Sequence, residues 1–424
     1  MRQLVGRVAE ATRGTGGGSP TIRSLLKLTP NRDFRLIWSA AIVSQLGDWS
    51  ARLALALLIL ARGGGATTVG IAGMLFVLPW LGVGQALTGW SARFGRRAVM
   101  AYCDLLRAVV FILIGTVDMS LGVLMVLVGA AAMADPVFEA NKSAFVVDIV
   151  DKDEYSSAIQ VTHAANQASS LVGYAMGGVL VGLVGAETTL ALNGATFAIS
   201  AFLVTRVRRP GTPTADESSG PSFAAGLRFL RSDRVSAVAF LATMVAVGTA
   251  MSVESQVAVY GTDVAGLDEA WVGILSAVTP AATLVAVALL KTTGSDDGLL
   301  RRGLLIGTVA AAVGSTLFSL AADGVLAFVA FALVGVIFSF ATLTNVVVGR
   351  RIPEANRVSI FSILQTGVFF ALSLGALLGG IISEATSPEA AAAGALVVGA
   401  FGLALALPFA AYRPLHAAVP GHSA

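Results

Sequence analysis

Apolar residues run almost unbroken along this chain, and the interruptions, marked by charge or by Gly and Pro, fall at the spacing of membrane-crossing helices. Divided at those breaks, the sequence predicts twelve spans, at residues 36–61, 66–90, 98–117, 120–147, 155–184, 188–206, 235–260, 270–291, 300–321, 324–349, 356–383 and 390–412. Each holds about 20 residues or more, which suffices for ~30 Å of hydrocarbon at 1.5 Å per residue. None shows the alternation of a lipid-facing barrel strand, and only a helix satisfies its own backbone in lipid. The predicted fold class is therefore all-α, a polytopic membrane protein with twelve transmembrane helices.

The longest polar stretch, 207–234, carries Pro210, Pro213, Asp216, Glu217, Ser218, Ser219 and Pro221 and splits the spans six and six. It predicts a cytoplasmic linker between an N-terminal bundle (36–206) and a C-terminal bundle (235–412), flanked by tails at 1–35 and 413–424. Phe223, Leu227 and Leu230, at i, i+4 and i+7, fit either a short surface helix or a frayed linker. The halves repeat: Gly47 and Pro79 recur as Gly248 and Pro280, and Gly173, Gly177 and Gly178 recur as Gly375, Gly379 and Gly380. Two parallel six-helix bundles follow, with these glycines as sites of close helix packing.

Composition sharpens the picture. Charged residues make up only 12% of the 424 positions and hydrophobic ones 56%, against about 25% charged in soluble chains, which excludes a water-soluble globule. The net charge of +3 is unevenly placed. Of the 28 Lys and Arg, 24 fall on the side that holds the N-terminal tail, whereas the other side has Arg62 and the acids Glu187, Asp263, Asp268, Glu269, Asp323, Glu384 and Glu389. The positive-inside rule puts both termini in the cytoplasm of a cell whose inner or plasma membrane holds the chain. The basic balance thus reflects topology, and no nucleic-acid partner is expected.

The single Cys103 excludes a disulfide framework. No HExxH, P-loop or nucleophile-base arrangement occurs, so no enzyme activity, ATP drive, metal or cofactor is expected. Ionisable residues inside spans are costly in lipid and carry the remaining chemistry. Spacing pairs Asp48 with Arg52, Asp104 with Arg107, and Glu139 with Lys142 along their own helices. Asp135 is left without a counter-ion, beside the helix-perturbing Pro136. With Glu139 and Lys142 it forms one charged stripe on the fourth span, predicted to be the proton-coupling site. Asp48, Arg52, His163, Gln167, Tyr174 and Gln365 are predicted to line a substrate cavity. Asp104 and Arg107, nearer the basic side, read as a cytoplasmic latch. The Ser and Thr positions of these stripes read more simply as interhelical hydrogen bonds.

Two motifs carry a family resemblance. TGWSARFGRR, Thr88 to Arg97, resembles the major facilitator loop signature GxLADRxGRR through Arg93, Gly95, Arg96 and Arg97, with Thr88 in place of the first Gly and Ala92 in place of the Asp. GYAMGG, Gly173 to Gly178, resembles the antiporter signature GPxxGG, with Tyr174 in place of Pro. The segments NRDFRLIWSAAIVSQLGD, AYCDLLRAVV, GLRFLRSDR and SIFSILQTG are similar to the macrolide and multidrug efflux branch of the superfamily, which includes siderophore exporters.

That resemblance implies proton-coupled export of amphipathic small molecules by alternating access, with Arg93, Gly95, Arg96 and Arg97 gating the cytoplasmic side. The expected partners are a small-molecule substrate, protons and the lipid bilayer, and the expected state is a monomer. Two other readings stay open: a symporter or uniporter that imports a solute, and a non-transporting receptor or assembly protein on a transporter fold.

Overall fold

The computed structural model describes residues 31–82, 87, 91, 93–150, 155–208, 223–289, 295–320, 324–352 and 357–410. Among them the chain forms α1 (Arg32–Ala61), α2 (Ala66–Val77), α3 (Arg96–Thr116), α4 (Leu121–Ile149), α5 (Tyr155–Val184) and α6 (Ala186–Thr205). A short α7 (Phe223–Ser232) precedes α8 (Arg234–Glu254), α9 (Glu269–Leu289), α10 (Asp296–Ser319), α11 (Gly324–Arg351), α12 (Arg357–Ala385) and α13 (Pro388–Ala410). Eleven of these helices are long and apolar enough to cross a membrane, and the described residues contain no strand.

The second predicted span differs from expectation. Instead of running unbroken over 66–90, α2 passes into a 3-10 turn at Leu78–Leu81. Pro79 has no amide to donate and Gly82 has φ of +134°, a conformation that an L side chain rarely adopts. The predicted tails lie mostly outside the described residues, as do linker positions 209–222.

The chain divides into two compact units. One contains the described residues up to 208 together with Leu267–Pro280, and the other contains Ser219–Gly266 and the segment from Ala281 onward. In the first unit, Phe34, Ile37, Met100, Phe138, Phe145 and Val204 form a buried apolar cluster from α1, α3, α4 and α6. Arg62, just past α1, donates to the Met119 carbonyl at 2.8 Å and to Glu187 Oε1 at 2.7 Å. It thereby clasps the end of α1 to the α3–α4 turn and to the start of α6.

The sequence repeat reappears as repeated contacts. In the first unit, α5 lies so close to α1 that a Cβ on Gly177 would sit 2.8 Å from Ser50 Cα, and Ser50 Oγ donates to the Gly173 carbonyl at 2.8 Å. In the second, α12 lies on α8 in the same register, where a Cβ on Gly379 would sit 2.8 Å from Ser252 Cα and one on Gly375 would press on Gly248. Gly178 meets the backbone of Glu269 and Gly273 at the start of α9. Gly380 is buried.

The helix caps repeat as well. Asn31 caps α1 through Phe34 N and donates to the Ile149 carbonyl at 2.8 Å. Asp233, at the equivalent place in the second unit, caps α8 through Ser236 N. It receives two hydrogen bonds from Arg351, both 2.7 Å, at the place equivalent to Ile149. The same seam between the start of one helix and the end of another is closed by an amide in one unit and by an ion pair in the other.

Candidate functional site

The chemistry of the first unit centres on Arg107. Along α3 the residues Asp104, Arg107, Phe111 and Ile114 are buried, while Tyr102, Leu105, Val109 and Ile112 are exposed. This inverted amphipathicity, apolar outside and charged inside, is what lipid selects for. Arg107 Nη1 donates to Asp135 Oδ1 on α4 at 2.9 Å and lies 3.9 Å from Asp48 Oδ2 on α1. Its Nη2 donates to Asp104 Oδ1 at 2.5 Å, and the other Asp104 oxygen accepts from Ser200 Oγ on α6 at 2.6 Å. The rings of Phe138 and Phe197 close over the guanidinium, with centroids 4.9 and 4.3 Å from Cζ. One cation thus ties together α1, α3, α4 and α6.

Three expectations are corrected here. Asp135 has a counter-ion, because an arginine on the neighbouring helix reaches it, and periodicity along α4 alone could not register that. Asp48 does not pair with Arg52 within 4 Å; it turns toward Arg107 instead. Asp104 and Arg107 do not form a latch near the helix end. They occupy the third and fourth turns of a helix that starts at Arg96, about 12–16 Å along its axis, and belong to the same cluster as Asp48 and Asp135.

Arg52 is placed differently. Its Cζ lies 4.6 Å from the Trp49 ring centroid and 4.5 Å from that of Phe76, between the two rings. Trp49 in turn packs against Tyr174 of α5, with centroids 5.1 Å apart and planes tilted by 55°. Asp48, Arg52, Phe76, Arg107, Phe111, Ala131, Ala132 and Asp135 line one cleft whose free volume is about 10 Å³, room for about one water. Pro136 removes a hydrogen bond from the Ala132 carbonyl at this cleft.

The pairing of Glu139 with Lys142 stands, at 2.5 Å, with the ammonium buried and the carboxylate 27% exposed. Asp48 and Asp135 are similarly open, at 22% and 25%, whereas Arg107 is 5% exposed. The accessible surface of the cluster is therefore carboxylate and aromatic, with most of the positive charge sealed behind it. Gln167 is half-buried on α5, and Gln365 is exposed on α12 in the other unit. The side chain of His163 lies outside the described residues.

The loop motif anchors to its own unit. Arg96 Nη1 donates to the Ala144 carbonyl at 3.2 Å and Arg97 Nη1 to the Val207 carbonyl at 2.9 Å, fastening the start of α3 to α4 and to the end of α6. Asn141 Nδ2 reaches Ser91 Oγ at 3.2 Å. Gly95 supplies the extended residue before α3, and Arg93 is exposed. Sequence reasoning missed Trp49, Phe76, Phe138, Phe197 and Ser200. Only Trp49, three residues before Arg52 on one helix face, left a signal that spacing could have found.

Eleven membrane-length helices and a charge cluster buried in one unit define a polytopic membrane protein rather than a soluble binding module. The profile of the Major Facilitator Superfamily matches residues 37–342, and the chain belongs to that superfamily. It is 23% identical to the uncharacterised MFS-type transporter YfiS of Bacillus subtilis (strain 168), over 81% of this chain and 84% of the relative. It is 25% identical to the multidrug efflux pump Tap of Mycolicibacterium fortuitum, over 84% and 90%. Among solved structures it is similar to a bacterial homologue of the human lysosomal transporter Spinster, with a TM-score of 0.73 and 14% identity over 90% of this chain and 96% of that one. A bacterial homologue of the iron transporter ferroportin gives a TM-score of 0.68 and 15% identity, over 90% and 99%.

Proposed function

We propose that the chain is a secondary active transporter of the cell membrane, with both termini cytoplasmic, that exports amphipathic small molecules in exchange for protons. The observation that carries this reading is the charge count around Arg107. Among the described residues three carboxylates, Asp48, Asp104 and Asp135, face two cations, Arg107 and Arg52, leaving one negative charge in excess within membrane-length helices. Such an excess is costly in lipid, and a bound proton removes it.

Asp135 and Asp48 are the candidate proton carriers, since their carboxylates are partly open while Asp104 is sealed between Arg107 and Ser200. Protonating Asp135 weakens its hold on Arg107, which then leans on Asp48 and Asp104, so proton load is read out as a change in how α4 is tied to α1 and α3. Glu139 and Lys142, one turn further along α4, extend the same charged face. Arg93, Arg96 and Arg97 are the candidate cytoplasmic gate, acting from the loop that ties α3 to α4 and α6. The glycine seams of α5 and α12 let helices slide at backbone contact. Similarity to Tap supports the export direction.

The test is substrate-triggered proton release from reconstituted vesicles, run for the parent and for Asp135→Asn across a library of amphipathic compounds. The Asn side chain keeps a hydrogen bond to Arg107, so the variant is expected to fold and bind while losing the coupled proton. Equal release from both proteins would overturn the proposal.

A further inference from the structure

The first unit contains two arginine clamps of opposite character. Arg107 sits between Phe138 and Phe197, rings that are almost wholly buried, and is hydrogen-bonded to carboxylates. Arg52 sits between Trp49 and Phe76, rings that are half-buried, on the wall of the cleft. Among the described residues no carboxylate lies within 4 Å of Arg52; the buried Nε of both arginines has no hydrogen-bond partner, so the two clamps differ in their ion pairs and in how deeply their rings are buried. Asp48 stands one turn back on the same helix, yet the guanidinium occupies the aromatic slot instead. Tyr174, tilted against Trp49, adds a third ring beside it. The first clamp is a sealed structural joint; the second holds a cation chiefly by its ring faces, with Asp48 acting on it only from beyond contact distance.

We propose that the Trp49–Phe76 slot is the seat for the cationic group of the transported molecule, and that Arg52 is its tethered stand-in. This rests on the transporter reading above and gives it a substrate class: a monovalent organic cation, an amine or guanidine on an apolar body. Aromatic rings attract such a cation through their negative faces, and the partly open carboxylates of Asp48 and Asp135 supply the field that draws it in.

On loading, the incoming cation takes the slot and Arg52 turns to Asp48 at the i−4 position, completing the ion pair that its place between the rings leaves unmade. The narrowness of the cleft follows, because Arg52 fills the space the ligand needs. So does exchange: the added positive charge cancels the same excess negative charge that a proton cancels, so cation and proton compete for one place in the charge balance without sharing atoms.

The experiment measures equilibrium binding by fluorescence polarisation to the full chain in detergent, with no proton gradient. The probes are rhodamine 6G, a lipophilic cation, and Nile red, a neutral dye. Arg52→Gln empties the slot of its internal competitor and is expected to bind rhodamine 6G about tenfold more tightly, with Nile red unchanged. Arg52→Lys, which keeps a charge in the slot, is expected to bind like the parent, and Trp49→Leu and Phe76→Leu to lose the preference for the cation. Thermal melting of each variant confirms folding. Weaker or unchanged rhodamine 6G binding in Arg52→Gln, or equal tightening of both dyes, would overturn the stand-in role. Failure of rhodamine 6G to bind the parent at all would overturn the cation seat while leaving the coupling proposal to its own proton-release assay.

Discussion

Removing the Arg107 guanidinium is expected to be the most damaging single change in the first unit. In Arg107→Met the packing volume is largely kept, while Asp104 is left with Ser200 alone, Asp135 loses its 2.9 Å contact and Asp48 its 3.9 Å one. Each contact near 3 Å represents about 6 kcal/mol of attraction at an effective dielectric near 20. Most of that is offset by the desolvation that folding already imposed, so the net loss on breaking a buried pair is about 3–5 kcal/mol. For a unit of this size, about 2–4 °C per kcal/mol gives a fall in melting temperature of about 6–20 °C. Cys103, the sole cysteine and the neighbour of Asp104, supplies the assay: a thiol-reactive dye labels it as the unit opens. Adding Asp104→Asn to Arg107→Met removes one stranded charge and is expected to recover part of the loss. A melting temperature for Arg107→Met within about 2 °C of the parent would refute the idea that this arginine joins four helices.

The two glycine seams make matched predictions: Gly177→Val and Gly379→Val each force apart backbones already in contact and should cost about 1–3 kcal/mol, whereas Gly182→Ala, with open space around it, should stay within about 0.5 kcal/mol. Thermal melts of the three decide it. Ser50→Ala loses one interhelical hydrogen bond and should cost about 0.6 kcal/mol, measurable in the same assay. At Asp233, burial raises the carboxyl pKa, but hydrogen bonds from Arg351 and Ser236 outweigh it and hold the group below its ordinary 3.8. A folded value below the unfolded one adds stability above the unfolded pKa that is lost as pH falls through the folded one. The parent should therefore lose up to about 1 kcal/mol below pH ~4 that Asp233→Asn does not, and superimposable melting curves over that range would exclude the contribution.

Helix number and the twofold repeat were legible because lipid enforces them residue by residue: a span must be apolar along its whole length, and a glycine contact recurs where the duplicated backbone needs it. The second span was read as unbroken because hydropathy continues past Pro79, while the backbone changes there from α-helix to a 3-10 turn. The charge cluster was only half legible. Its members stand out as costly residues, and Glu139–Lys142 pairs within one helix as spacing suggests. The partners of Asp48 and Asp135 come from α3, and which helix faces which is a tertiary fact with no period in the sequence. An arginine is also long enough to reach beyond its own helix while keeping a neighbour three residues away, which is how Arg52 adds Phe76 to Trp49 and Arg107 adds Asp48 and Asp135 to Asp104.

The Arg62 clasp sets a timetable for biogenesis. Of its two carboxylate partners, Asp118 at 3.3 Å is made first and Glu187 at 2.7 Å lies 125 residues downstream, so at about 5–20 residues per second the newly made arginine waits roughly 6–25 s for the ribosome to supply the second. During that interval the end of the first helix has no anchor to the sixth. Assembly factors that shield charge at this end of the helices would act in this window, and a nascent chain stalled before Glu187 would be the species they hold.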